Sequence, residues 1–251
     1  PHAEAVELRE VLATRQVMVR DLSAVKNRIW AKMQSAFPTL WPMLDLSREW
    51  ARPLVQKLLV VKAPWRLRLS SIEAALGTAR RVDAQSVKAA LLADRSTIET
   101  PSGQSARQLA RHQFGALTAL IEARRSVEAQ RDRLLDAWIA KQGVQAQRDV
   151  KIIRSMPGAG ANLVAVLVAY AWQGVQARDP EHLRCLDGLA PITKQTGGRG
   201  RPRRGEVQMR RAYCRPLREA FFQWASTAIL RDARSKRRLA ELRARGHSWG
   251  R

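Results

Sequence analysis

The stretch IIRSMPGAGANLVAVLVAYAW, Ile152–Trp172, decides the architecture. A helix is expected to end near Ser155. Pro157, Gly158, Ala159 and Gly160 then make a tight turn, and a strongly apolar helix runs from about Ala161 to Trp172. Two helices joined by such a turn form a helix-hairpin-helix-like unit. Glycines let the backbone come close to a ligand, and the first amides of the second helix have no internal partner. Gly158 and Gly160 together with those amides therefore suit a phosphate group. Such a contact places a protein on DNA without reading its sequence. A tight helix–helix corner that needs small residues accounts for the same turn equally well.

Upstream, helical periodicity dominates. Met18, Leu22, Val25, Ile29, Met33 and Phe37 recur at spacings of three and four, so Ala3 to Phe37 is expected to be one helix with a single apolar stripe, ended by Pro38 and Pro42. From Thr39 to Gly103 shorter helical patterns are broken by Pro53, Pro64 and Gly77, and Glu99–Ser105, ETPSGQS, reads as a loop. From Ala106 to about Val150 a long helical pattern returns. Leu117, Ile121, Val127, Leu134 and Trp138 outline a seam that Arg124 and Arg131 interrupt. It is read as an arm or coiled coil, with an ordinary bundle helix as the alternative.

Downstream come a loop, a short helix and a basic glycine-rich loop. Gly197, Gly198, Gly200 and Gly205 interleave with Arg199, Arg201, Arg203 and Arg204. A flexible cationic loop suits a polyanion; a solvated basic loop is the plain alternative. A helix is expected from about Gln208 to Leu230, carrying Arg210, Arg211, Arg215 and Arg218, with Arg211, Arg215 and Arg218 on one face. A basic helix from about Ser235 to Arg245 follows. No alternating pattern announces a strand. The expected fold class is mainly α: a helical arm or coiled coil, then a helical domain with the helix-hairpin-helix-like turn and the basic Gly/Arg loop. The expected divisions are residues 1–105, 106–150 and 151–251.

The chain holds 45 basic and 22 acidic residues, a formal charge of +23. Its last 101 residues hold 21 basic and 7 acidic, so the excess is denser there. Self-repulsion on this scale points to a polyanionic partner, nucleic acid before anionic membrane. Arginine predominates, which suits bidentate phosphate contacts, although GC-rich coding enriches arginine too. Cys185 and Cys214 lie in no CxxC, so a zinc site is not expected and free thiols in a cytoplasmic setting are. No apolar run approaches the ~18 residues of a membrane span. His2, His112, His182 and His247 show no pairing pattern, and the eight tryptophans are scattered as core residues would be. The first residue is proline, and the chain reads as a piece of a longer protein.

Four blocks, SMPGAG with its following apolar helix, LDGLAPITKQTGG, RRAYCRPLREAFFQWA and RLAELRARGHS, resemble the C-terminal domain of the one-ten family of insertion-sequence transposases, bridge-RNA-guided recombinases. The likeness covers Ile152 to Arg251, and Pro1 to Phe37 resembles the helix that follows the family's nuclease-like domain. The resemblance implies a bacterial, nucleoid-associated DNA recombinase with DNA, a structured guide RNA and further copies of itself as partners. It implies a RuvC-like domain with four acidic metal ligands, for which this chain shows no counterpart. Asp21, Asp45, Asp83 and Asp94 are read as surface acids. No cofactor is expected in this chain, and Mg²⁺ only with that other domain. The family's nucleophilic serine stands before glycine in a P-x-x-x-x-S-G block, and here Pro191 opens the block and Thr196 holds the serine position. Threonine keeps the hydroxyl, but its methyl stiffens χ1 and crowds attack on phosphorus. Arg199, Arg201 and Arg211 are the candidates to stabilise charge on phosphorus. The alternative is a decayed, non-catalytic nucleic-acid-binding module.

Overall fold

The apolar stripe through Leu22, Val25, Ile29 and Met33 winds into the helix α1, Ala3–Ala36, and is buried along one side. This computed structural model describes residues 3–77, 82–196 and 204–246, with the backbone alone at 193–196 and 204–207. The order along the chain is α1, a 3-10 turn at Trp41–Met43, α2 (Ala51–Val60), a 3-10 turn at Pro64–Arg66, α3 (Leu69–Leu76), α4 (Ala84–Ala93), α5 (Arg95–Glu99) and α6 (Pro101–Ala140). Then come α7 (Val144–Ser155), α8 (Ala161–Tyr170), α9 (Trp172–Gln176), α10 (Pro180–Asp187), the strands β1 (Pro191–Thr196) and β2 (Arg204–Met209), α11 (Arg215–Arg231) and α12 (Ala233–Ala244). The fold is mainly helical. It divides into two compact units, Arg15–Ser126, and Pro1–Thr14 with Val127–Arg251.

The Arg15–Ser126 unit is built around Ile29, Met33, Phe37, Leu40, Trp41, Leu54, Leu58, Ile72, Leu91, Ile98 and Leu117, all out of solvent. Charged side chains tie its helix ends together. Asp94, read from sequence as a surface acid, is buried, and its carboxylate accepts from the amides of Thr39 at 2.9 Å and Leu40 at 3.0 Å. Those amides lie between the end of α1 and the Trp41–Met43 turn, so the acid supplies an acceptor to backbone donors outside either helix. Arg107 is also buried. Its guanidinium donates to the carbonyls of Leu58 (2.7 Å) and Val61 at the end of α2. A cation there meets the negative end of the helix dipole. Lys88 closes another end through the carbonyls of Trp65 and Leu67. Asp83 is the N-cap of α4; hydrogen bonds from the Ser86 hydroxyl and then from the Ser86 amide, at 2.7 Å, hold its carboxyl below the usual range.

ETPSGQS is not a loop but the start of α6. Thr100 precedes the helix and its hydroxyl accepts from Gly103 N at 3.0 Å, and Pro101 opens the first turn, where no amide is needed. Gly103 is there for space: a Cβ would stand 2.2 Å from the carbonyl oxygen of Thr97. Residues that signal a loop are here a helix start pressed against the preceding helix. Along α6, Leu117, Ile121 and Trp138 of the expected seam are buried, Val127 and Leu134 half so, while Leu135 is fully buried. The long helix ends at Ala140 and α7 begins at Val144, so the expected arm to Val150 is two helices.

The second unit packs around α8, whose residues Leu163–Ala169 are all buried. Leu8, Leu12, Leu135, Val150, Ile153, Leu217 and Ala220 surround it. Trp138 meets Trp172 edge-on with ring centroids 4.8 Å apart. The chain corrects the sequence reading after Ala190. A two-stranded antiparallel hairpin stands where a loop and the start of a helix were expected, and α11 begins at Arg215, not near Gln208. Proline at the second helical position sets that start.

Candidate nucleic-acid interface

The corner between α7 and α8 divides its two glycines between two tasks. Gly158 adopts φ +81°, and a Cβ there would stand 3.0 Å from Ala228 N and 3.1 Å from the Thr227 side chain. It is pressed on α11. Trp224 of that helix donates its indole N–H to the carbonyl of Pro157 at 3.0 Å and pins the corner. Gly160 is exposed, has open space where a Cβ would be, and stands at the N-cap of α8 with no side chain capping the helix. Leu163 N reaches back to Gly160 O at 3.0 Å. The amides of Ala161 and Asn162 are left without an acceptor inside the helix. The corner therefore serves packing through Gly158 and presents open backbone at Gly160.

The hairpin holds Thr196. The register pairs Pro191 with Met209, Lys194 with Glu206 and Thr196 with Arg204. Thr196 is therefore the last paired residue of β1, across from Arg204. Gly197, Gly198, Arg199, Arg201 and Arg203 lie outside the described residues. Arg210 and Arg211 follow Met209 at the base of the hairpin. With a strand rise of about 3.4 Å per residue, Met209 stands roughly 17 Å along it from Thr196, and Arg210 and Arg211 lie beyond. Sequence reasoning grouped Arg211 with Arg215 on a helix face. In the structure Arg211 is exposed in the bend before α11, and the shared face is lost.

The base of the hairpin is firmly tied. Cys214 N donates to Leu186 O at 2.7 Å and Ala190 N to Arg184 O at 2.9 Å. Gly188 adopts φ +76° as the C-cap of α10, and Tyr213 lies against it, a Cβ there being 2.7 Å from Tyr213 Cβ. Arg218 lies over the Tyr213 ring, 4.5 Å from its centroid. Asp187, buried beside this cluster, accepts from Leu189 N at 2.8 Å. Burial pushes its carboxyl above the usual range, against the opposing pull of the Leu189 amide, Arg218 and Arg184. Asp187 was not singled out from sequence. Its signal is the Asp-Gly pair that ends α10, with glycine in the left-handed conformation.

Arg215 is exposed and its Nε pairs with Glu219 at 2.8 Å, an i, i+4 pair of modest worth in water. The helix α12 has no buried residue at all. Asp232 caps it; hydrogen bonds from the Ser235 hydroxyl, at 2.8 Å, and then from the Ser235 amide, at 2.7 Å, keep the Asp232 carboxyl below the usual range. Arg234, Arg237, Arg238 and Arg245 recur at three-, four- and seven-residue spacings, all exposed, and this face was missed among the site residues drawn from sequence. Among the described residues no three His, Cys, Asp or Glu side chains gather as a metal site, so none offers a ligand set for Mg²⁺. No described helix is long and apolar enough to cross a membrane.

Residues 150–240 match the model of the Transposase IS116/IS110/IS902 family. The chain is also similar to an uncharacterized 43.6 kDa protein of insertion element IS110 from Streptomyces coelicolor, 29% identical over 224 residues. That similarity covers 81% of this chain and 52% of the relative, so the chain spans about half the length of the curated relative it matches. No solved structure matches the chain.

Proposed function

We propose that the chain is the nucleic-acid-handling part of an insertion-sequence transposase and exchanges DNA strands through the hydroxyl of Thr196. The observation that carries this reading is the hairpin. It sets Thr196 across from Arg204, at the entry to an Arg/Gly segment, within the stretch that matches the transposase family. In the proposed step, Thr196 Oγ1 attacks a DNA phosphorus. A new P–O bond to the protein forms, the bond to a DNA oxygen breaks, and that oxygen leaves as a hydroxyl carrying the proton. A hydroxyl from another strand then attacks the protein–DNA ester and releases Thr196. Each bond broken is replaced by one of the same kind, so no nucleotide triphosphate is consumed.

The supporting charges have separate roles. Arg204 and the arginines that follow Thr196 along the chain are nearest in sequence to the reacting phosphate and would stabilise its added charge. Arg210, Arg211 and Arg215, at the hairpin base, hold backbone phosphates farther along the duplex. Gly160 and the first amides of α8 take another phosphate of the backbone without reading sequence. A guide RNA and further copies of the protein complete the proposed assembly. Mg²⁺ belongs to an acidic site outside the described residues.

The test is covalent trapping on nicked, labelled donor DNA with Mg²⁺ and guide RNA, using this chain within a protein of the relative's length. A species that survives denaturing electrophoresis and disappears in Thr196→Ala is expected. A species seen only with Thr196→Ser favours the second reading, a binding module silenced by the methyl of threonine. The same outcome ends the claim that Thr196 reacts.

A further inference from the structure

Within the unit formed by Pro1–Thr14 and Val127–Arg251, a cleft of about 750 Å³ lies among the start of α1, the end of α6 and the α8–α10 segment. That is the size of pockets that take small organic molecules. Its lining includes Arg9, Gln142, Tyr170, Trp172, Gln173 and His182, and no Asp or Glu.

Three features show a built site. Arg9 donates from Nε to the carbonyl of Ala169 at 2.6 Å, and its guanidinium lies over the Tyr170 ring, 5.3 Å from the centroid. A flat cation is thus fixed on an aromatic face at the cleft. Gly174 makes room for the wall: a Cβ would stand 3.0 Å from both His182 Cδ2 and Leu183 Cδ2. The indole N–H of Trp172, in the same wall, is buried with no hydrogen-bond partner, a donor the chain itself leaves unanswered.

We propose that this cleft takes one unstacked base of a single-stranded nucleic acid. The inference rests on the reading that the chain binds nucleic acid, and adds a site outside the hairpin and the α7–α8 corner. Guanidinium planes and aromatic faces stack bases of any kind. Glutamine amides both donate and accept, as a base edge requires. With no acid in the lining, the guanidinium N–H groups of Arg9 other than Nε can face the phosphate attached to that base. A duplex base cannot enter, because its faces and edges are already occupied, so the site selects unpaired strands.

The test uses the full chain and an oligothymidylate carrying a single 2-aminopurine, at low salt. Binding is expected to change the 2-aminopurine emission. Tyr170→Leu and the exposed Gln173→Ala are each expected to abolish that change. The lost stacking in Tyr170→Leu lowers affinity on the order of 5- to 100-fold, and Tyr170→Phe restores both. Gln173→Ala guards against a folding defect, since its side chain is exposed. Binding with the same emission change and affinity in wild type and both variants overturns the cleft proposal and leaves the nucleic-acid reading standing. An oligonucleotide that fails to bind the wild-type chain at all overturns both.

Discussion

Arg107 and the arginines of the α12 region use one residue type in opposite ways. In Arg15–Ser126 the cation Arg107 is turned inward onto the last carbonyls of α2, and the anion Asp94 is buried on amides beyond α1. On α12 and at its C-cap, Arg234, Arg237, Arg238 and Arg245 stay in solvent, and the helix has no buried residue. A buried charge that answers helix-end groups is structural, because removing it strands those groups out of water. An exposed charge without such a duty adds little to stability. The difference separates charges that hold the fold from those that do not.

The largest expected effect tests that division. Arg107→Ala leaves the buried carbonyl of Leu58 and the part-buried one of Val61 without their donor, and chemical denaturation should report a loss of about 3 kcal/mol. A loss below about 1 kcal/mol would break the comparison, since the buried cation would then be no more structural than an exposed one.

The two glycines of the α7–α8 corner sharpen it. Gly158→Ala forces a side chain into a left-handed backbone and onto Ala228, and should cost about 1–2 kcal/mol in thermal or chemical unfolding. Gly160→Ala meets nothing and has an ordinary φ of −87°, so stability should stay within about 0.5 kcal/mol. If the open backbone at Gly160 holds a phosphate, DNA binding by gel shift should weaken in Gly160→Ala while the fold is kept.

The smallest effect on stability is expected on α12. Arg237→Ala should leave unfolding within about 0.5 kcal/mol of the parent. Its mark should appear in a salt titration of DNA binding, where the slope of log affinity against log salt falls by about 1 for each phosphate contact removed. An unchanged slope would take Arg237 out of the interface.

Much of the helical plan was legible from periodicity. The stripe of α1, the end of α7 at Ser155 and the start of α8 at Ala161 follow from apolar spacing and from the Pro-Gly-Ala-Gly turn. Other parts were hidden for identifiable reasons. PITKQT shows no alternation of apolar and polar residues, and in RGEVQM only the four residues Glu206–Met209 alternate, too short a run to mark a strand by itself. They pair with each other across the intervening segment, and the pairing supplies the structure. The Gln208 helix start failed for the same reason, since Gln208 and Met209 are taken by β2. ETPSGQS misled because proline, serine and glycine serve helix starts as well as loops.

Sequence by itself determined the charge excess, the apolar faces of the helices and the place of Thr196 in a family-like block, because each is a property of residue types and their spacing. Tertiary structure decided which charges turn inward, which glycine of the corner packs and which stays open, and that Thr196 ends a strand across from Arg204. These depend on groups far apart in the chain. Asp94 answers amides 55 and 54 residues away, and Trp224 reaches a carbonyl 67 residues back. A buried polar group must find its partner wherever the fold supplies one, and no local pattern of residues records that choice.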